Sequence, residues 1–254
     1  MLYKKKSLGQ HFLHNNEVCA KIAKTLAKVN VESLIEVGPG GGALTSHLYN
    51  MYGGKLNLVE LDTRFFEELV EKYPQIKQQI FNQNFLKFDL STFQNPLSII
   101  GNFPYNISSQ IVFKVLDNYH IVENMVGMFQ KEMAVRIVAP YNNKQYGVIS
   151  VLTQAFYDAE LLFDIAPSNF TPPPKVDSSI LKLTRKEEVG IDRKMFFKVV
   201  KLAFSSRRKM MRNNFSSLAN KEDLQLPIFN KRAEQLQVKD FKELTSYFIN
   251  LAVE

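Results

Sequence analysis

Ser33-Leu34-Ile35-Glu36-Val37-Gly38-Pro39-Gly40-Gly41-Gly42 decides the fold. Its first half is a short apolar run, which predicts a buried strand over 33–37. Its second half is a glycine turn, which predicts a strand end leading into a helix over 41–52. Glycines there let the backbone turn tightly and approach a ligand closely. The next strand, over 55–60, ends in Glu60, about twenty residues beyond the glycines, where a carboxylate can hold the two hydroxyls of a ribose. We read this unit as a site for an adenosine-containing cofactor touching Gly38, Gly40 and Glu60. The Gly-x-Gly-x-Gly spacing differs from the Gly-x-Gly-x-x-Gly of dinucleotide sites, which weighs against NAD without removing it. A tight turn with no ligand is the other alternative.

Working outward, Val18, Ile22, Leu26 and Val29 recur at helical spacing and predict a helix over 15–29. Further helices are expected over 63–72, capped by Thr63, over 108–118, capped by Ser108, and over 131–138. Strands are expected over 79–82, 97–101 and 124–129. This alternation argues for an α/β fold, with a parallel sheet covered by helices on both faces. The pattern then changes. A helix over 147–156 precedes two strands, 159–165 and 178–186, joined by a proline-rich loop; such a pair can be antiparallel and close one edge of the sheet. Beyond Glu188 only helices are expected: 193–204, capped by Asp192, and 240–251. A boundary near Val189 and Gly190 divides the chain into domains 1–188 and 189–254.

The 254 residues, 45% of them hydrophobic and including 20 Phe and 10 Tyr, can bury a core. That composition excludes a disordered chain. A net charge of +7 and a pI of about 9.3 point to a phosphate-bearing partner, nucleic acid first. The one cysteine, Cys19, is read as a buried structural thiol. His11 and His14 are close in sequence, but no cysteine or acid cluster completes a site, so no metal is expected. With no apolar stretch of membrane-spanning length and no signal-peptide core, the protein is expected in the cytoplasm.

Asn102-Phe103-Pro104-Tyr105 follows the strand over 97–101. In an open parallel sheet ligands bind beyond the carboxyl ends of the strands, so this tetrapeptide should lie beside the cofactor. Its residues suit methylation of an adenine amine, whose lone pair is delocalised into the ring. Two acceptors at the N–H groups would localise that pair: the Asn102 side-chain oxygen and a backbone carbonyl, that of Phe103. Pro104 fixes φ and removes a donor. Tyr105 offers a flat face, and stacking of a base on such a ring is worth about 1–3 kcal/mol. A plain strand-end turn would use the same residue types.

In Phe170-Thr171-Pro172-Pro173-Pro174-Lys175, the prolines stiffen a loop in which Phe170 could cover the second face of a base opposite Tyr105, with Lys175 facing solvent or phosphate. Phe170 could equally be a core ring. Arg207, Arg208, Lys209 and Arg212 form dense charge after a helix, and Lys4, Lys5 and Lys6 do so near Met1. Both clusters could grip RNA through counterion release, or be solvated faces.

Taken in order, Lys6-Ser7-Leu8-Gly9-Gln10-His11-Phe12-Leu13, the glycine loop, Asn-Phe-Pro-Tyr, the triple-proline loop and Phe204-Ser205-Ser206-Arg207-Arg208-Lys209 through Asn213-Asn214 resemble the KsgA/RsmA family of rRNA adenine dimethyltransferases. The resemblance covers about 4–215. It implies a class I, Rossmann-like S-adenosylmethionine-dependent methyltransferase fold: a seven-stranded sheet with one antiparallel strand, then a small all-helical C-terminal domain that binds RNA. It implies that S-adenosylmethionine contacts His11, Leu13, Gly38, Glu60, Asn84 and Asn102. It implies dimethylation of two adjacent adenosines in a hairpin near the 3′ end of small-subunit rRNA, in an assembling subunit. Nothing in it demands more than a monomer. One position departs from the pattern: most relatives carry aspartate where Asn84 stands, so a neutral acceptor replaces a charged one. Three rival readings are a macrolide-resistance type large-subunit rRNA methyltransferase, a binding protein that kept the fold, and an NAD-dependent oxidoreductase. The Gly-Gln-His-Phe-Leu opening and the Arg-Arg-Lys segment disfavour the first. The intact Asn102 to Tyr105 motif disfavours the second, and the absence of clear hydride-transfer residues disfavours the third.

Overall fold

The computed structural model describes residues 11–187 and 190–251. Lys4, Lys5, Lys6 and Val189 lie outside the described residues. The strands are β1 (Phe12–Leu13), β2 (Ser33–Val37), β3 (Leu56–Glu60), β4 (Ile80–Asn82), β5 (Leu97–Asn102), β6 (Val122–Gln130), β7 (Tyr157–Ile165), β8 (Phe170–Thr171) and β9 (Ser178–Arg185). The helices are α1 (Asn16–Ala23), α2 (Thr45–Tyr52), α3 (Thr63–Lys72), α4 (Ser108–Asp117), α5 (Lys131–Val138), α6 (Val148–Phe156), α7 (Arg193–Ala203), α8 (Met211–Phe215) and α9 (Val238–Leu251).

Seven strands form one sheet in the order β4-β3-β2-β5-β6-β9-β7. β4, β3, β2, β5 and β6 are parallel neighbours, and β9 runs antiparallel to β6. Every residue of β2 and β3 is buried, as expected of parallel strands covered on both faces. The strand order reverses between β2 and β5, so the carboxyl ends of β2, β3 and β5 open on one crevice, where ligands of such sheets bind. β9 inserts between β6 and β7, which leaves β7 at the edge with a mostly accessible pattern.

The helix starts correct two expectations. Asp62, not Thr63, caps α3, its Oδ1 accepting from Arg64 N at 3.2 Å. The cap of α4 is Ile107; the Ser108 hydroxyl instead donates to the Tyr105 carbonyl at 3.1 Å. Asp192 caps α7 as expected, accepting from Met195 N at 2.6 Å. The first helix is shorter than its periodicity suggests: α1 ends at Ala23 and continues as a 3-10 turn, Lys24–Leu26.

The chain divides into two compact units, Met1–Ala134 with Ala159–Arg185, and Val135–Asp158 with Lys186–Glu254. The expected single cut near 189 thus differs from this division over 135–158. The reason lies in α6, whose apolar residues serve the second unit. Phe156 meets Phe196 and Phe197 edge-on at 6.0 and 6.2 Å, and Tyr146 meets Phe204 at 6.2 Å. Phe204 stacks on Phe241 at 5.9 Å, and Phe215 on Phe248 at 5.5 Å. Aromatic rings bury much apolar area each, which suits a unit of this size. Cys19 is free and buried in the first unit, and burial pushes its thiol up to about 11.

Candidate active site

The loop after β2 places Gly38 at φ 66° and Gly40 at φ 53°, both in the left-handed region that glycine adopts without strain. A Cβ on Gly40 would come within 3.1 Å of the Phe12 ring, so the loop also needs that glycine for space. Gly38 N donates to Val59 O at 2.9 Å, tying the loop to β3. Glu60 ends β3 and is buried. Its carboxylate accepts from Gly40 N at 2.9 Å and from Asp62 N at 2.8 Å. Burial raises its pKa, and these amide bonds oppose the rise. Each oxygen keeps a lone pair for a further donor.

Two cavities flank the glycine loop. One, of about 140 Å³, is lined by Gly38, Glu60, Leu61, Asn84, Phe85 and Pro104, among others. Asn84 follows β4, and its Oδ1 accepts from Leu86 N at 2.9 Å. The other, of about 300 Å³, is lined by Phe12, Leu13, Glu36, Pro39, Leu44 and Asn102, among others. Glu36 is 2% exposed, and its Oε2 has no hydrogen-bond partner among the described residues. Burial pushes its carboxyl up to about 8; the neighbouring Thr45 hydroxyl opposes the rise, and the like charge of Glu60 adds to it.

Asn102 ends β5 at the crevice. Its Nδ2 donates to the His11 carbonyl at 2.8 Å. The Phe103 ring turns under the sheet, 1% exposed and edge-on to Phe129 at 5.4 Å. Gly101 on β5 and Gly127 on β6 face each other and leave the space it fills. A Cβ on Gly127 would lie 2.2 Å from the Phe103 ring, and one on Gly101 2.5 Å from Val37 O. Gly127 is a residue that sequence reasoning missed; the signal was a glycine inside an otherwise apolar strand, which marks a close approach. Tyr105 is half-buried, its hydroxyl 2.6 Å from Ser178 Oγ, and its ring is stacked with His11 at 5.5 Å and 27°.

His11 ties this turn to the proline loop. Its Nδ1 lies 2.8 Å from the Pro172 carbonyl, which can only accept, so Nδ1 carries the proton. The two residues that follow pair with β8 in an unforeseen ladder, Phe12 opposite Thr171 and Leu13 opposite Phe170. That ladder bears on the two readings of Phe170, as base cover or as core ring. Its ring is 2% exposed and belongs to the hydrophobic core together with the buried Leu13 that it pairs with. Lys175 is exposed.

In the second unit, Arg208, Lys209 and Arg212 are exposed. Arg207 is not a free cation. Its guanidinium donates to the carbonyls of Lys144 and Tyr146, the latter at 3.1 Å, and pairs with Glu234 at 3.3 Å. Among the described residues no His, Cys, Asp and Glu side chains cluster in a group that could hold a metal ion, and no helix is long and apolar enough to cross a membrane.

The sheet order, the glycine loop and the carboxylate at the end of the second parallel strand define a methyltransferase fold. A dimethyladenosine transferase from Plasmodium falciparum shares it with a TM-score of 0.82 at 24% identity, over 94% of this chain and 98% of that one. The 23S rRNA methyltransferase ErmE shares it with a TM-score of 0.67 at 23% identity, over 91% and 99%. The profile described as "Ribosomal RNA adenine dimethylase" matches residues 1–250, and the chain belongs to that family. It is 47% identical to a "Ribosomal RNA small subunit methyltransferase A" of Parabacteroides distasonis, over 95% of this chain and 92% of the relative. Proteins of the same name from Cytophaga hutchinsonii and Flavobacterium johnsoniae are 44% and 45% identical, over 95% of this chain and 96% and 94% of theirs.

Proposed function

We propose that the chain dimethylates the exocyclic N6 amines of two adjacent adenosines in a hairpin near the 3′ end of small-subunit (16S) rRNA, in an assembling small subunit, with S-adenosylmethionine as methyl donor. It does so in the cytoplasm, as a monomer and without a metal. The observation that carries the reading is the orientation of Asn102: with Nδ2 given to the His11 carbonyl, Oδ1 is the end left to accept from an amine.

The residues present fit the donor. Gly38, Glu60 and Asn84 line the cavity that suits an adenosine, with the Glu60 lone pairs for ribose hydroxyls. His11 and Gly40 are read as further contacts of the cofactor, and Leu13 and Asn102 line the larger cavity. There the unpartnered Glu36 Oε2 suits an ammonium group, which S-adenosylmethionine carries. Once bound, S-adenosylmethionine supplies a methyl group activated on a sulfonium.

The chain's own residues prepare the amine. Asn102 Oδ1 and the Phe103 carbonyl accept its two N–H groups and localise the nitrogen lone pair toward the methyl. Pro104 adds no competing donor. Tyr105 stacks the base on the face opposite His11. No strong base is required, because the nitrogen becomes acidic once alkylated, so alignment supplies much of the rate. Each adenine takes two methyls, so the pocket accepts a monomethylated amine as well. Lys175, Arg208, Lys209 and Arg212 hold the RNA backbone, along with Lys4, Lys5 and Lys6.

Labelled methyl transfer to unmethylated small subunits, large subunits and free rRNA tests this. N6,N6-dimethyladenosine from small-subunit RNA is the expected product. Label confined to large-subunit RNA overturns the choice of target, and no label in any RNA overturns the activity.

A further inference from the structure

We propose that His11 is a positioning residue that sets which end of the Asn102 amide faces the substrate. The inference rests on the reading of Asn102 as the acceptor of the adenine amine, and goes beyond it in naming what keeps that acceptor pointing outward.

A carboxamide has two ends of nearly equal shape and opposite hydrogen-bonding sense. Rotated by half a turn, Asn102 would present its NH₂ to the adenine amine, donor against donor, and catalysis would stop. The amide needs a partner that discriminates between its ends. The His11 carbonyl is that partner, at 2.8 Å from Nδ2. A carbonyl only accepts, so the rotated amide would set two oxygens against each other.

The carbonyl discriminates only if it stays in place, and the His11 side chain holds it there with two separable contacts. Nδ1–H donates to the Pro172 carbonyl at 2.8 Å, anchoring the segment to the proline loop. The ring face lies against Tyr105 at 5.5 Å, anchoring the same segment to the motif that Asn102 opens. On its far side the segment enters the ladder of Phe12 and Leu13 with β8. Two stretches remote in sequence, 102–105 and 170–172, thus converge on the segment of His11, and the atom they fix is the acceptor for Asn102.

The two contacts can be removed one at a time. His11→Asn keeps a donor of similar reach and loses the ring. His11→Phe keeps the ring and loses the donor. His11→Ala loses both. For His11→Ala we expect kcat to fall about ten- to a hundred-fold, the range that small misplacement of a reacting group produces. S-adenosylhomocysteine affinity is measured by calorimetry on the same variant, and because the cofactor is also expected to contact His11, the positioning role predicts a loss of kcat at saturating S-adenosylmethionine that exceeds any loss of affinity. His11→Asn and His11→Phe should each recover part of the lost kcat. Wild-type kcat in His11→Ala, failure of both His11→Asn and His11→Phe to recover any of the loss, or a loss confined to S-adenosylhomocysteine binding overturns the role proposed for His11. Failure of the underlying reading looks different: Asn102→Ala alone would then retain kcat, whatever His11 does.

Discussion

Gly101 and Gly127 stand directly opposite each other on neighbouring parallel strands, and the Phe103 ring occupies the space that both leave. Asn102, whose side chain is read as the acceptor, sits between Gly101 and the buried ring. Its aim is therefore set by packing beneath the sheet as well as by hydrogen bonding above it.

Gly127→Ala should displace that ring. The added methyl would lie 2.2 Å from Phe103 and 2.7 Å from Phe129, both buried. Overpacking of this kind costs about 1–3 kcal/mol. Urea unfolding should show a loss in that range, and kcat should fall several-fold while S-adenosylhomocysteine binding changes little. Unchanged stability and rate would show that the strand pair yields more readily than the packing suggests.

Glu36 makes stability depend on pH in an unusual sense for an acid. Its carboxyl is raised from 4.5 to about 8 in the folded protein. Between those values the native state holds a proton that the unfolded chain has released. Stability from this group is full at the acid end and is lost as pH rises toward about 8. Urea midpoints across this window should fall with pH in the wild type and be flatter in Glu36→Gln. An identical pH slope in both proteins would contradict the assignment.

Asn84→Asp should tighten cofactor binding. The Oδ1 bond to Leu86 N survives the change, and a carboxylate gives a neighbouring donor a bond roughly twice as strong as a neutral acceptor does. Calorimetry with S-adenosylhomocysteine should show affinity rising several-fold. No gain would remove Asn84 from the cofactor site.

Arg207 and its neighbours should behave differently on substitution. Arg207→Ala should lower thermal stability, since the guanidinium ties Lys144, Tyr146 and Glu234 within one unit. Arg208→Ala and Lys209→Ala should leave stability alone and each lower the salt dependence of RNA binding by about one counterion. A reduced salt slope in Arg207→Ala with unchanged stability would reverse this division.

Local signals carried much of the fold. β2 falls on 33–37 because a fully buried run ends abruptly at glycine, and α5 matches 131–138 because its apolar positions keep helical spacing. Where two polar residues adjoin a helix start, as Asp62 and Thr63 do, the chosen cap depends on backbone geometry that periodicity does not encode. The ladder of β1 with β8 was not legible, because strands of two residues have no pattern of their own and exist only through a partner far along the chain. The surroundings of Phe170 and Arg207 were not legible for the same reason. A ring in a stiff loop and a cation in a basic run look available until the residues that bury or bind them are placed. The glycine loop, Glu60 and the 102–105 motif were legible as a site because their chemistry depends on residue type and on position at strand ends. The role of His11 as their common anchor was not, since its partners at Asn102, Tyr105 and Pro172 come together only in the folded chain.

The most direct test of the central claim compares wild type with Asn102→Ala on unmethylated small subunits, counting N6,N6-dimethyladenosine by mass spectrometry after nuclease digestion while S-adenosylhomocysteine binding is measured on the same preparations. The account predicts dimethyladenosine from the wild type, and from Asn102→Ala a folded protein that still binds S-adenosylhomocysteine but forms neither mono- nor dimethyladenosine above background. Dimethyladenosine formed by Asn102→Ala at the wild-type rate would contradict it.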